Sequence, residues 1–248
     1  MIVIKSSREI ELMEKAGKIV ALALEEVGKH VRPGVTTSEL DKIAEEVIVS
    51  HKAKPSFKGY RGFPASICTS VNSEVVHGIP GLRTLKDGDI ISIDIGAEFD
   101  GYNGDAARTF PVGKISDEAM NLIRVTEKSF FQGIQYARPG YRLSDISNAI
   151  QVYVESNNFS VVRDYVGHGI GRNMHEDPQI PNYGPPNKGP RLRAGMAFAI
   201  EPMVNVGGYE VYTLDNQWTV VTKDSSLSAH YENTIVLTDT EPRILTII

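Results

Sequence analysis

The chain carries one pattern twice. Arg32-Pro33-Gly34 followed by Ser38-Glu39-Leu40 recurs as Arg138-Pro139-Gly140 followed by Ser144-Asp145-Ile146, at an offset of 106 residues. The stretch "LKDGDIISIDIGAEFDGY" from Leu85 aligns with "LRAGMAFAIEPMVNVGGY" from Leu192, at an offset of 107. In that match Lys86 faces Arg193, Gly88 faces Gly195, Tyr102 faces Tyr209 and Asp94 falls on Glu201. Similarity at one long period points to duplication of a helix–helix–strands unit rather than to a solenoid. Shared turn and cap rules could produce either match alone, but two at nearly one offset weigh against chance. Halves packed about a pseudo-twofold axis bring equivalent residues near that axis together, and Asp94 and Glu201 then become neighbours.

Each repeat opens with helical periodicity. Ile10, Met13, Ala16, Val20, Leu24, Val27 and Val31 recur at helical spacing, with Ser7 as the expected cap and Pro33-Gly34 as the stop. Ser38 offers a second cap before Leu40, Ile43, Val47 and Ile48. The pattern predicts a third helix from Asp117 to Ala137 and a fourth from Ser144 to about Ser156. Short apolar runs at 65–71 and 75–79, and the run from Leu85, read as strands between turns. The repeats span roughly 8–112 and 116–240, within a single domain of residues 1–248.

The second strand run contains an anomaly. Ile90, Ile91, Ile93 and Ile95 demand burial on both faces, yet Asp94 lies among them. A buried carboxylate is costly without a partner. A hairpin turning near Phe99–Gly101 sets Asp105 opposite or diagonal to Asp94, on the same face. Two carboxylates that close repel unless one is protonated or a cation lies between them. Glu201, in "AFAIEPM", is as hard to expose as Asp94, and Glu232 heads "ENTIVLT" as Asp105 heads "DAARTF". Taken singly, Asp105 reads as a turn residue and Glu232 as a solvated strand end; together the four favour a metal site.

Three of the six histidines lie in Gly-rich turns near strand ends: His77 in "VVHGIP", and His168 and His175 in "VGHGIGRNMHEDP". A lone histidine is more often a core or surface residue than a ligand. His175-Glu176 begins no His-Glu-x-x-His motif, and the glycines at 167, 169 and 171 are not a dinucleotide fingerprint. One histidine with four carboxylates is an oxygen-rich set. It suits a pair of divalent first-row ions better than a structural zinc, and it does not resemble a flexible calcium loop. Such paired ions are the arrangement of two-metal hydrolases.

Other classes are disfavoured. A net charge of −5 without a basic run gives no support for nucleic-acid binding, and no stretch approaches membrane-spanning length. Hydrophobic content of 41% argues against disorder. With Cys68 the only cysteine, no intramolecular disulfide can form. The N-terminus lacks the long uncharged core of a signal peptide. A soluble, cytoplasmic protein is expected.

The order Asp94, Asp105, His168, Glu201, Glu232, set in "HGIP", "GHGIG", "IEPM" and "YENT", resembles the type I methionine aminopeptidases across essentially the whole chain. The resemblance implies an α+β pita-bread (creatinase/aminopeptidase) fold: two pseudo-symmetric halves, a curved antiparallel sheet and outer helices. It implies removal of the initiator methionine from nascent polypeptides, preferably before a small second residue. Asp94 would bind one divalent ion and His168 and Glu201 the other, with Asp105 and Glu232 bridging; Co, Mn, Fe, Zn and Ni are the candidates. Glu201 would be the general base, His175 would donate to the developing oxyanion, and His77 would contact the scissile amide or leaving group. Tyr60, Phe63, Cys68, Met174 and Trp218, with Phe57 at the edge, would form the apolar side-chain pocket. Nascent N-termini are the implied partners, with transient ribosome contact and a monomeric state.

Some positions depart from the family pattern. Phe63 and Met174 stand where Tyr and Phe are expected, and in "AHYENT" His230 and Asn233 replace the usual Gln and His. The latter pair alters the surroundings of Glu232, and with them metal preference and rate. Prolidases and aminopeptidases P share the fold, but carry an extra N-terminal domain for which a first ligand at residue 94 leaves no room. A non-catalytic binding protein on this fold would have lost ligands, and here all five stand. Only 25 residues separate His175 from Glu201, too few for the helical insertion of the type II enzymes. The Pro-rich segment "DPQIPNYGPPNKGP" in that interval reads as an ordered surface loop over the site.

Overall fold

The computed structural model covers residues 1–248. Four helices, α1 (Ser7–His30), α2 (Thr37–Ser50), α3 (Asp117–Ile134) and α4 (Leu143–Ser156), form two pairs. The caps differ from the sequence expectation by one or two residues. Ser6, not Ser7, caps α1, and Thr36, not Ser38, caps α2; each closes a reciprocal capping box with Glu9 or Glu39 three positions on. Ser7 has Ile10 rather than a carboxylate at that spacing, and the Asp41 that follows Ser38 accepts instead from the Ser66 and Ile67 N–H groups. Ser116 caps α3, and α4 begins at Leu143 with Arg142 before it.

Two antiparallel sheets carry the rest of the frame. In the first, β1 (Ile67–Val71), β2 (Ile90–Phe99) and β3 (Tyr102–Pro111) lie in the order β1-β2-β3, and Lys54–Pro55 pairs with the far end of β2 on the β1 edge. In the second, β4 (Gly167–Gly169) lies between β5 (Glu176–Ile180) and β6 (Ala197–Ile200). Then come β7 (Asn233–Val236) and the short strand Arg243–Ile244. The opening of the Pro-rich segment is therefore strand β5 rather than loop. Two small three-stranded sheets complete the chain: Ser228–His230 with Met203–Asn205 and Ser160–Val161, and Val211–Thr213 with Val220–Thr222 and Glu74–Val76.

Each helix pair covers its own core. Val20, Leu24 and Val27 of α1 and Leu40 and Ile48 of α2 pack on Ile91, Ile93 and Ile95. Leu122 and Phe130 of α3 and Ile146 and Ile150 of α4 pack on Phe198 and Ile200. Each such apolar side chain, fully buried, contributes about 1.5–3 kcal/mol. The isolated bridges Thr36↔Thr84 and Arg142↔Arg191 occupy the same place in the two halves, offset by 106 and 107 residues. Helix α1 lies unusually close to β3 where two glycines meet. A Cβ on Gly104 would stand 2.7 Å from the Gly17 nitrogen, and one on Gly17 2.3 Å from the Leu245 carbonyl oxygen, so neither position has room for a side chain.

Beside the small sheet that pairs Glu74–Val76 with Val220–Thr222, the halves join along a seam in which β3 runs beside residues 230–234. Ala107 and Glu232 exchange both backbone hydrogen bonds, at 3.3 and 3.0 Å. On either side a threonine hydroxyl replaces the ladder. Thr234 Oγ1 accepts from the Asp105 N–H and donates to the Asp105 carbonyl, both at 2.9 Å. Thr109 Oγ1 accepts from the His230 N–H and donates to the His230 carbonyl, also both at 2.9 Å. The register 105/234, 107/232, 109/230 carries acidic residues of both halves to one place.

Candidate active site

Strand β2 is buried on both faces: Ile90, Ile91, Ile93 and Ile95 are all within 1% of complete burial. Asp94 lies opposite Ala107 and Asp105 opposite Gly96, so the two aspartates are diagonal neighbours on one face. The seam sets Glu232 beside Ala107. Glu201 follows directly on β6, where Asn182 Nδ2 donates to its carbonyl at 3.0 Å. Strand β4 delivers His168 between β5 and β6 because its glycines allow it. A Cβ at Gly169 would stand 2.1 Å from the Asp177 carbonyl oxygen.

These side chains converge. His168 Nε2 lies 3.7 Å from Asp105 Oδ2 and 3.6 Å from Glu201 Oε1. Ligand atoms of Asp105, His168 and Glu232 all lie within 4.8 Å of one another. His168 Nδ1 donates to the Gly169 carbonyl at 2.8 Å, which leaves the Nε2 lone pair facing the carboxyls. Asp94 Oδ1, Asp105 Oδ1 and Glu232 Oε1 are enclosed and have no hydrogen-bond partner.

Titration behaviour follows from this crowding. Burial above all holds the Asp94 carboxyl up at about 7, partly opposed by its hydrogen bond with Asp105. Burial, then the neighbouring carboxylates, push Asp105, Glu201 and Glu232 well above the usual range. Burial lowers His168 to about 3, with His175 beside it acting in the same direction. Four carboxyls that resist ionising, orphaned oxygens and a free imidazole nitrogen fit a cation-binding cluster, since a divalent ion would reverse each penalty. The donor set, oxygen with imidazole, suits first-row divalent ions.

Above the cluster opens a cavity of about 340 Å³. Phe57, Tyr60, Phe63, Cys68, Met174 and Trp218 line it, together with His77, His175 and the five clustered residues. All the site residues expected from sequence thus border one cavity. Phe63 meets Trp218 edge-on at 5.1 Å. Cys68 is buried, and burial pushes its thiol well above the ordinary range, so it is an apolar wall element rather than a nucleophile. His175 stacks on Tyr60 at 5.3 Å, and its Nδ1 lies 2.9 Å from the Tyr60 hydroxyl. His77 adopts φ +59°, a left-handed conformation strained for a side chain with a Cβ, and its ring meets Tyr165 at 5.6 Å. Such strain costs about 1–3 kcal/mol and concentrates at functional sites. Burial lowers the His77 ring to about 4.

The cavity also takes in Arg61, Val76, Asp164, Tyr165, Val166 and Gln179, which sequence reasoning did not single out. Of these only Tyr165, three residues before His168, carries a readable signal. The two departures beside Glu232 separate cleanly. Asn233 turns away from the cavity: its Oδ1 accepts from Arg108 at 2.7 Å and from Thr246 at 2.9 Å. His230 turns toward Glu232, with Nε2 3.6 Å from Oε2.

Residues 11–239 match the profile of the family described as "Metallopeptidase family M24". A methionine aminopeptidase of Clostridium perfringens is 62% identical over 248 residues, covering 100% of both chains. The methionine aminopeptidase 1 of Bacillus subtilis is 62% identical over 246 residues, covering 99% of each. Among solved structures, the methionine aminopeptidase of Thermotoga maritima superposes with a TM-score of 0.99 at 49% identity, with 100% of each chain covered. A prolidase of Pyrococcus horikoshii superposes with a TM-score of 0.78 at 22% identity, over 99% of this chain and 64% of that one, a likeness of fold alone.

Proposed function

The chain belongs to metallopeptidase family M24 and has the pita-bread fold and the activity of the methionine aminopeptidases, and we propose how its residues carry out that activity. Five side chains would hold two divalent ions: Asp94 one, His168 and Glu201 the other, with Asp105 and Glu232 shared. The observation that carries this reading is the set of enclosed, unpartnered oxygens on Asp94, Asp105 and Glu232, in the cluster that also holds the free His168 nitrogen and borders the cavity. When bound, such ions polarise the scissile carbonyl and acidify water.

The protein's own groups do the rest. The methionine side chain of an N-terminal substrate enters the wall of Phe57, Tyr60, Phe63, Cys68, Met174 and Trp218. Burying that side chain stabilises the complex by about 1.5–3 kcal/mol. Glu201 takes a proton from the attacking water and delivers it to the leaving amine. The Tyr60 hydroxyl, donating to His175 Nδ1, fixes the ring proton on Nε2, where it meets the carbonyl oxygen as negative charge develops. His77, uncharged through burial, contacts the scissile amide. Its left-handed backbone aims the ring at the cavity.

Residues 1–248 act as one catalytic unit, a reading supported by ligands drawn from both halves. The substrates are N-termini of nascent chains with a small second residue, cleaved in the cytoplasm by a monomer in passing contact with the ribosome. No helix is long and apolar enough to cross a membrane. The test is a Met-Ala-Ser peptide assay on chelated protein, then on protein restored with Mn or Co ions. Activity should vanish on chelation and return with metal. Activity that survives exhaustive chelation refutes the reading, as does cleavage of Xaa-Pro peptides with Met-Ala peptides left intact.

A further inference from the structure

One side chain at the cluster has no part in the scheme above. His230 is 2% exposed, and its Nε2 is enclosed without any hydrogen-bond partner. A core histidine held for packing would have a partner for that nitrogen. A ring that merely oriented Glu232 would lie within hydrogen-bond reach of it, yet the nearest carboxylate oxygen is 3.6 Å away. The seam explains the ring's direction. Thr109 fixes the His230 backbone on both its N–H and its carbonyl. Residues 230 and 232, two apart on an extended run, then present side chains to one face.

That face holds a second cluster. Ligand atoms of Asp94, His230 and Glu232 all lie within 4.8 Å of one another. Asp94 Oδ1 and Glu232 Oε1 are orphaned just as His230 Nε2 is. Two atoms bound to one ion at about 2.0–2.2 Å lie at most about 4.4 Å apart, so a closure of a few tenths of an ångström gathers this trio on a single centre. We propose that His230 is a sixth metal ligand, its imidazole binding the ion on the Asp94 side. The inference rests on the dinuclear reading and adds to it: each ion then has one nitrogen, His168 for one and His230 for the other. A nitrogen where the first ion would otherwise meet only oxygen favours Fe, Co, Ni and Zn over Mn and Mg at that position.

The full-length protein, chelated and then titrated with Co(II) alone, tests this by proton NMR. Each imidazole bound to Co(II) gives a contact-shifted, solvent-exchangeable ring N–H signal. The parent should show two such signals at two equivalents of Co(II). His230→Gln should show one, still take up two equivalents, and bind the first ion about 10-fold or more weakly by calorimetry. The parent spectrum needs no variant, so a poorly folding His230→Gln leaves the test intact. Two ions bound with a single imidazole signal in the parent overturns the sixth ligand and leaves the dinuclear reading standing. A parent that binds no Co(II) overturns both.

Discussion

Removing divalent cations should make the fold sensitive to alkali. In the cation-free protein Asp94 holds its proton up to about 7 against an ordinary 3.8, chiefly through burial. Asp105, Glu201 and Glu232 are also held well above the usual range, for the same first cause. An unfolded chain ionises all four near pH 4, so above that pH the folded state carries the more protons and its stability falls as pH rises. The buried histidines act with the opposite sign and lower down. His77 at about 4, and His168 and His230 at about 3, bind fewer protons than an unfolded chain, whose histidines titrate near 6.5. Their contribution grows with pH up to about 6.5 and is constant above it. Beyond that point the carboxyls act, joined toward pH 8.5 by the buried Cys68 thiol with the same sign.

The size follows from the same values. Ionising Asp94 inside the fold opposes folding by about 4 kcal/mol, from the gap between 3.8 and about 7 at about 1.4 kcal/mol per pKa unit. With its folded carboxyl at about 7, Asp94 alone lowers stability by about 0.8 kcal/mol between pH 6.5 and 8.5, or roughly 2–3 °C in Tm for a chain of this size, and the three other raised carboxyls act in the same direction. The assay is a thermal melt across that range, with strong chelator in one series and saturating Mn ions in the other. The chelated series should lose Tm with rising pH. The loaded series should not, since ions bind the ionised carboxylates and bind them better as protons leave. A chelated Tm that is flat or rising, or equal slopes in the two series, would refute the reasoning.

Two substitutions probe the catalytic arrangement. His175→Ala should lower kcat for a Met-Ala-Ser peptide about 10²–10³-fold, with metal uptake unchanged by calorimetry; a loss confined to KM would contradict the oxyanion role. Gly169→Ala should lower metal affinity and Tm together, because the new Cβ would stand 2.1 Å from the Asp177 carbonyl oxygen and displace the strand that carries His168. Normal uptake in that variant would mean β4 has slack the packing does not suggest.

How far the sequence could be read depended on what kind of pattern each feature leaves. Asp94 was legible because a carboxylate among four isoleucines violates the burial rule, and its match with Glu201 named a counterpart. The hairpin register followed from strand periodicity, and the structure makes Asp94 and Asp105 diagonal through the pairs 94/107 and 96/105. Helix starts slipped because Ser6, Ser7, Thr36, Thr37 and Ser38 can all cap, and only the reciprocal bond from Glu9 or Glu39 decides among them. Strand β5 was hidden by its proline, since its pairing with β4 depends on glycines that let three strands crowd together. His230 stood out as a departure from the family, but its direction is set by a hydroxyl 121 residues away. No local pattern records such a contact.

The seam between the halves has a consequence for how the enzyme comes into being. Asp94 and Asp105 are made first, and His168, Glu201 and Glu232 at least 63 residues of chain later. On the proposed ligand set neither half alone would own a complete cage, and the threonines that align its strands, Thr109 and Thr234, each reach across from one half to the other. Catalytic competence is therefore a property of the closed joint rather than of either folded half. A chain released early, or split between the repeats, would present two acidic faces that repel one another until a cation draws them together. In such a pair of fragments the metal would act as the assembly signal, and activity would report that the joint had closed.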